Sequence, residues 1–378
     1  MKILHLTHTD LRYDNRILKE LMVLSESEDY KVFGLGVFSR EEAAFAKMVL
    51  RADIKNINLS LNSFIFLPRS IRYFFVLIEI SIRFFFKSLK IRPDVIHCHD
   101  TMILPIGVLI KILFGSILIY DAHELESQKN GQSRLLSKAT LVIEKVCWNN
   151  IDHLVSVSDS IIEWYNSNFR EVNSTLILNS PIVTNHEYKS RKHYFHDLYK
   201  IPEDQLVFIY IGYFGKGRSI ENILNAFSDK SVLSHIVFVG YGELATRIKN
   251  YSFEHLNIHL HAAVSHENVV EIAGSADIGF CLLENVSLSD YYALPNKFFE
   301  YIFAGTPIIA SDFPELSNSV NNYKLGILTQ TDTGSIKKAI AFFENAPKQR
   351  INSNLYLLSW EYQKEKLLSL YQNIKTKN

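Results

Sequence analysis

Short apolar runs bounded by polar turns alternate along this chain with longer segments of helical period, a pattern that predicts parallel strands joined by crossover helices. In the first half the predicted strands are 3–6, 31–36, 95–97, 117–120, 154–157 and 175–178, with helices at 15–25, 71–90 and 133–149. Residues 102–120 read as helix, turn and strand. The stretch 180–204 holds two prolines and no sustained period, so it reads as a connection ending in a short lead-in helix. A second series follows, with strands at 207–211, 235–239, 258–260, 278–282 and 307–310 and helices at 220–227, 267–273, 297–304 and 335–344. The fold class expected is α/β, with two Rossmann-like doubly wound parallel-sheet domains at 1–180 and 205–357 and a linker at 181–204. Open sheets of this kind bind ligands beyond the carboxyl ends of their strands, here around an interdomain cleft.

Composition narrows the classes. The chain has 378 residues, more than one core usually serves, with 47% hydrophobic and 21% charged residues, as in soluble globular proteins. Lys plus Arg and Asp plus Glu each number 40, so no global field favours nucleic acid. Cys98, Cys147 and Cys281 are widely spaced and odd in number. They suggest neither a disulfide framework nor a zinc site, and a reducing cytosol is expected. The start, MKILHLTHTD, lacks the features of a secretory signal and reads as a first strand.

The aromatic-rich stretch 64–92 is interrupted by Arg69, Arg72, Glu79, Arg83, Lys87 and Lys90 too often for a membrane span. At 100° per residue these charges fall in one narrow arc. Helix 69–90 is therefore either a core helix with one wet stripe or a peripheral contact with an anionic membrane.

Two segments of the second half carry chemistry. Ile211-Gly-Tyr-Phe-Gly-Lys-Gly-Arg-Ser-Ile-Glu is a strand, a glycine-rich turn, a cation and a helix start. Such a turn suits a diphosphate, because backbone amides approach the oxygens and Arg218 supplies a two-pronged donor. The second segment is Leu294-Pro-Asn-Lys-Phe-Phe-Glu-Tyr-Ile-Phe-Ala-Gly-Thr-Pro-Ile-Ile-Ala-Ser-Asp. It resembles the family 4 retaining glycosyltransferases of GT-B fold, in particular a bacterial polysaccharide branch that reads PNK, a hydrophobic residue and FEY before an AG-x-P turn.

The resemblance implies that Glu300 accepts hydrogen bonds from the donor ribose and that Asn296 and Lys297 lie beside the donor diphosphate. It places Tyr213, Gly215, Lys216 and Gly217 at the donor as well, and makes Arg218, Lys297 and His123 the catalytic candidates. The purely structural alternative for Lys297 and Glu300 is a surface (i, i+3) pair. Two departures from the family pattern stand out. Tyr292 occupies the place of a glutamate that touches donor sugar hydroxyls, leaving Asp290 or a backbone amide of 291–294 to serve. Tyr213 stands where many members have arginine.

In the first half, Asp94-Val-Ile-His-Cys-His-Asp and Tyr120-Asp-Ala-His-Glu-Leu each end a strand with histidine and carboxylate residues. Both resemble the family's amino-terminal domain, in which the second histidine, here His123, lies beside the donor sugar. Asp14 and Arg16 resemble a D-x-R pattern of the same branch and are acceptor-side candidates, together with His99, Asp100 and Glu124. Asp14 alternatively caps a helix and Arg16 is alternatively solvated. His97, His99, Asp100, His123 and Glu124 also have the chemistry of a metal site. The family needs no metal, so no metal and no cofactor is expected. Residues 358–376 resemble the terminal helix that crosses back onto the first domain.

The expected activity is transfer of a sugar from a UDP- or GDP-linked donor to a glycan or lipid-linked acceptor with retention of configuration, in polysaccharide synthesis at the cytoplasmic face. The rivals are a nucleotide-sugar 2-epimerase and a non-catalytic sugar-binding subunit. A nicotinamide dehydrogenase is disfavoured by the missing G-x-G-x-x-G.

Overall fold

The computed structural model describes residues 1–39, 51–60, 69–182 and 193–377. Residues 64–68 of the aromatic stretch, 183–192 of the expected linker and the side chain of Arg69 lie outside the described residues. The chain forms two compact units, Met1–Asn179 with Gln363–Asn378, and Ser180–Tyr362.

In the first unit β1 (Lys2–Leu6), β2 (Lys31–Val37), β3 (Asp53–Ile57), β4 (Val95–His99), β5 (Ile117–Ala122), β6 (His153–Ser156) and β7 (Asn173–Leu176) build one sheet. Its order is β3-β2-β1-β4-β5-β6-β7 and every pairing is parallel. The crossovers carry α1 (Asn15–Ser25), α2 (Arg69–Ile91), α3 (Leu104–Phe114), α4 (Arg134–Cys147) and α5 (Asp159–Asn168). Local chemistry sets their ends. Asp14, Ser133 and Ser158 accept the N–H of Ile17, Leu136 and Ile161 and so cap α1, α4 and α5, while Gly115 closes α3 at φ 70°.

The second unit begins with α6 (Tyr194–Tyr199) and continues through β8 (Val207–Tyr213), α7 (Ile220–Phe227), β9 (His235–Tyr241), α8 (Ala245–Glu254) and β10 (Ile258–His261). Then come α9 (Val269–Ala273), β11 (Ile278–Cys281), α10 (Leu288–Tyr291), α11 (Asn296–Phe303), β12 (Ile308–Ser311), α12 (Pro314–Tyr323), β13 (Gly326–Thr329) and α13 (Thr333–Glu344). The strand order is β10-β9-β8-β11-β12-β13, again all parallel. Phe208, Tyr210, Phe238 and Phe280 fill one core with Phe227 of α7 and Ile336 and Ile340 of α13. The last helix, α14 (Trp360–Lys377), belongs to the first unit from Gln363 onward.

Several elements depart from the apolar pattern. β3 and β13 are edge strands of mixed polarity, and α8 and α12 are polar on most of their surface, so none carries a strong periodic signal. β7 lies two residues earlier than the pattern places it. β4, β5, β8 and β9 each run two residues beyond it, through Cys98-His99, Asp121-Ala122, Gly212-Tyr213 and Gly240-Tyr241. Those extensions are mostly polar or glycine because they face candidate sites.

In each sheet the strand order reverses at one point, between β1 and β4 and between β8 and β11. Crevices at such reversals are where doubly wound sheets bind ligands.

Candidate active site

Each unit concentrates its reactive side chains at its own reversal point. In the second unit a cavity of about 370 Å³ is lined by the ends of β8 and β9, the loop at Ala263 and Val264, and the first turn of α11. The two strand ends approach closely. A Cβ on Gly240, at φ 149°, would lie 2.0 Å from the Gly212 carbonyl oxygen, so glycine is required there.

Pro295 precedes α11 without any side-chain cap, so the first-turn amides keep their partial positive charge near the cavity. Lys297 and Glu300 are both buried and both line the cavity, which removes the alternative of a surface pair. The Lys297 ammonium sits over the Tyr210 ring and has no hydrogen-bond partner among the described residues. Burial, aided by Arg218, pushes it down to about 7. Burial pushes the Glu300 carboxyl up to about 7 against the opposing pull of Lys297. This site can hold an anion beside a buried cation and offer a carboxylate to hydroxyl groups.

Arg218 lines the same cavity, and its Nη1 donates to Asp290 Oδ1 at 3.2 Å. Asp290 is itself buried and accepts from the Ser287 hydroxyl at 2.9 Å. Asn296 and Tyr213 also line the cavity, whereas Gly215, Lys216, Gly217 and Tyr292 do not. The glycine-rich turn is tied down by carboxylates. Glu243 Oε1 accepts the Lys216 N–H at 3.2 Å, and Glu284 Oε1 accepts the Ser219 N–H at 3.1 Å. Tyr241 and the Ala263–Val264 wall were not legible in the sequence, since the signal for them is only their position after a strand.

In the first unit strand register sets His5 against His97 and His99 against Asp121, which brings all four to one face. Arg16 and Glu20 of α1 and Tyr371 of α14 meet them there. Arg16 donates through Nη2 to Asp121 Oδ1 at 2.9 Å and through Nε to Oδ2 at 3.1 Å, and its Nε is 3.4 Å from Glu20 Oε1. Arg16 is thus buried in ion pairs and is not the solvated arginine of the structural alternative. Burial would raise the Asp121 carboxyl, yet Arg16 and His123 hold it well below its ordinary range. Asp14 is the cap of α1 and also accepts from the Thr9 hydroxyl at 3.1 Å, as its structural alternative requires.

Nε2 of His123 lies 3.1 Å from His99 Nδ1 and 3.3 Å from Asp121 Oδ2, and its Nδ1 is 3.7 Å from Asp100 Oδ1. Burial alone would lower His123, but Asp100 and Asp121 raise it to about 10. Asp100 holds a positive φ of 66°, a strained backbone of the kind found at functional sites. Glu124 is exposed and faces Lys129, outside this group. Among the described residues the candidate metal set therefore changes to two groups, His5, Glu20, His97 and His99, and His99, Asp121 and His123, so that both Asp100 and Glu124 leave.

Two all-parallel Rossmann-like units in one chain, each with its reactive groups at the sheet reversal, define the GT-B fold of glycosyltransferases. Residues 194–354 match the family described as Glycosyl transferases group 1. No curated protein matches the sequence.

Solved structures match over the full length. Sucrose-phosphate synthase (tll1590) from Thermosynechococcus elongatus superposes with a TM-score of 0.79 at 16% identity, covering 100% of both chains. Anabaena Alr3699/HepE in complex with UDP and glucose gives 0.68 at 13% identity, covering 100% of this chain and 99% of that one. The lipopolysaccharide outer core galactosyltransferase WaaB in its apo form gives 0.67 at 13%, with the same coverage.

Proposed function

We propose that this protein is a glycosyltransferase that moves a sugar from a nucleoside diphosphate sugar to a glycan or lipid-linked acceptor, with retention of configuration. The observation that carries the reading is the start of α11. A buried ammonium without a hydrogen-bond partner among the described residues and a buried carboxylate stand one helical turn apart beside Arg218 in one cavity. The donor diphosphate would pair with Lys297, Arg218 and the α11 amides, and Glu300 would accept from the ribose diol.

In the transfer the acceptor oxygen bonds to the anomeric carbon, the bond from that carbon to the diphosphate oxygen breaks, and the acceptor proton passes to the departing diphosphate. No protein nucleophile and no metal is needed for this step. Arg218 and Lys297 stabilise the charge that develops on the leaving group. His123 serves the reacting sugar, and Asp290 holds Arg218 at the cavity.

A contact with the cytoplasmic face of a membrane suits a lipid-linked acceptor. No described helix is long and apolar enough to cross one. The outer face of α2 is apolar rather than a single wet stripe, with Ile78, Ile82 and Phe86 exposed. α3 packs beside both α2 and α4, and exposes Ile112 and Leu113, while α4 exposes Leu135 and Val146. Lys90, Arg134, Lys138 and Lys145 are exposed on α2 and α4. Apolar side chains mixed with cations match an anionic bilayer surface.

The test is incubation of the full chain with a panel of UDP- and GDP-sugars, with and without membrane extracts of lipid-linked oligosaccharide. Extension of the acceptor with the anomeric configuration kept is expected. Conversion of the donor without acceptor would assign an epimerase, and nucleotide binding without turnover a non-catalytic subunit.

A further inference from the structure

We propose that His99, Asp121 and His123 form a site for a divalent first-row transition-metal ion such as Zn²⁺, and that the bound ion switches the protein off by occupying His123. The switching half rests on the glycosyltransferase reading; the site does not.

The geometry is that of a preformed coordination face. Nδ1 of His99, Oδ2 of Asp121 and Nε2 of His123 are 3.1, 3.3 and 3.3 Å from one another. Tetrahedral bonds of about 2.0–2.1 Å set ligand atoms about 3.3 Å apart. In the absence of an ion the two rings can share one hydrogen bond at 3.1 Å beside Asp121; a metal ion bonds all three lone pairs at once.

The surroundings are those of ligands held in place. Nε2 of His99 is 2.9 Å from His5 Nδ1, Nδ1 of His123 faces Asp100, and Asp121 is gripped by Arg16. Even with His123 protonated, as Asp100 and Asp121 hold it, Glu20, Asp100 and Asp121 outnumber the cations Arg16 and His123 around the face, and Glu126 pairs with Lys129. A dication neutralises that excess. Both Glu20 carboxylate oxygens, His97 Nε2 and Asp100 Oδ1 are buried around the face without a hydrogen-bond partner among the described residues. His123 is the one ligand reached by solvent, with a side chain 19% exposed, so the fourth position opens on its side.

The experiment titrates the chelator-stripped full chain with Co²⁺ as a spectroscopic stand-in and then displaces it with Zn²⁺. About one equivalent with tetrahedral ligand-field absorption is expected. Affinity should fall at least about tenfold in His99→Gln and in His123→Gln. His235→Gln, in the His235–His259 pair of the second unit, should leave it unchanged. His123 is the partly exposed ligand, so His123→Gln keeps the test interpretable if His99→Gln misfolds, with far-ultraviolet circular dichroism as the check.

Absence of stoichiometric binding, or binding that survives in folded His123→Gln, overturns the site. Zn²⁺ should also suppress sugar transfer while nucleotide still binds, and a chelator should restore it. Transfer untouched at saturating Zn²⁺ overturns the switch. A chain that transfers no sugar under any condition fails the glycosyltransferase reading, and the Co²⁺ titration still decides the site.

Discussion

The Lys297 ammonium lies 3.9 Å from the centre of the Tyr210 ring, and that ring is the nearest compensation for its lost water. A cation over an aromatic face recovers about 1–2 kcal/mol, less than the cost of burying an ammonium. The lysine therefore sits at about 7, as does Glu300 one turn later, each displaced by burial.

Donor affinity should follow a bell-shaped pH profile centred near neutrality. An anionic ligand favours protonated Lys297, so affinity falls as pH rises above about 7. Hydroxyl donors favour ionised Glu300, so affinity also falls as pH drops below about 7. Each limb approaches one logarithmic unit per pH unit. Calorimetry with a nucleotide sugar from about pH 5.5 to about 9 measures this, and a flat profile contradicts it.

Lys297→Met should stabilise the protein while weakening donor binding. The native lysine at about 7 is depressed from an ordinary 10.5, so it costs most at and below pH 7, and the cost disappears by about pH 10.5. The gain in Tm over wild type should shrink across that window. Loss of a charged hydrogen bond to phosphate, about 1.5–3 kcal/mol, predicts roughly 10- to 150-fold weaker donor binding.

Glu300→Ala should cost a comparable factor in donor affinity and lower transfer severely, yet leave the thermal transition near wild type. Near-normal turnover in this variant would remove the ribose assignment.

Gly240→Ala should lose about 2–4 kcal/mol, because its φ of 149° is strained for alanine and the new Cβ meets the Gly212 carbonyl at 2.0 Å. Chemical denaturation reads the loss. Nucleotide affinity should fall with it, since both glycines line the cavity.

Arg16→Met should destabilise by about 3–5 kcal/mol by leaving Asp121 and Glu20 buried without their cation. A mere acceptor contact would instead change KM for acceptor with no shift in Tm. The two outcomes separate the buried ion pair from the contact that the D-x-R pattern suggests.

Much of this architecture is readable from local pattern. Apolar runs located most strands and Asp14 announced its helix. The segment from Pro295 to Asp312 pointed to Lys297 and Glu300, which the fold brings to one cavity. The edge strands β3 and β13 escaped because edges tolerate mixed polarity. The glycine-rich turn reads as a phosphate loop, yet the structure ties it to Glu243 and Glu284 through long-range bonds that no spacing reveals.

The sequence by itself determined the strand and helix alternation, the helix caps and the motif on α11, because each depends on residues within a few turns of one another. Only the tertiary structure decided that His5, His97, His99 and Asp121 share a face with Arg16 and Tyr371 while Glu124 turns to solvent. Parallel strands are joined by long crossovers, so their register is set by packing across the sheet rather than by neighbouring residues.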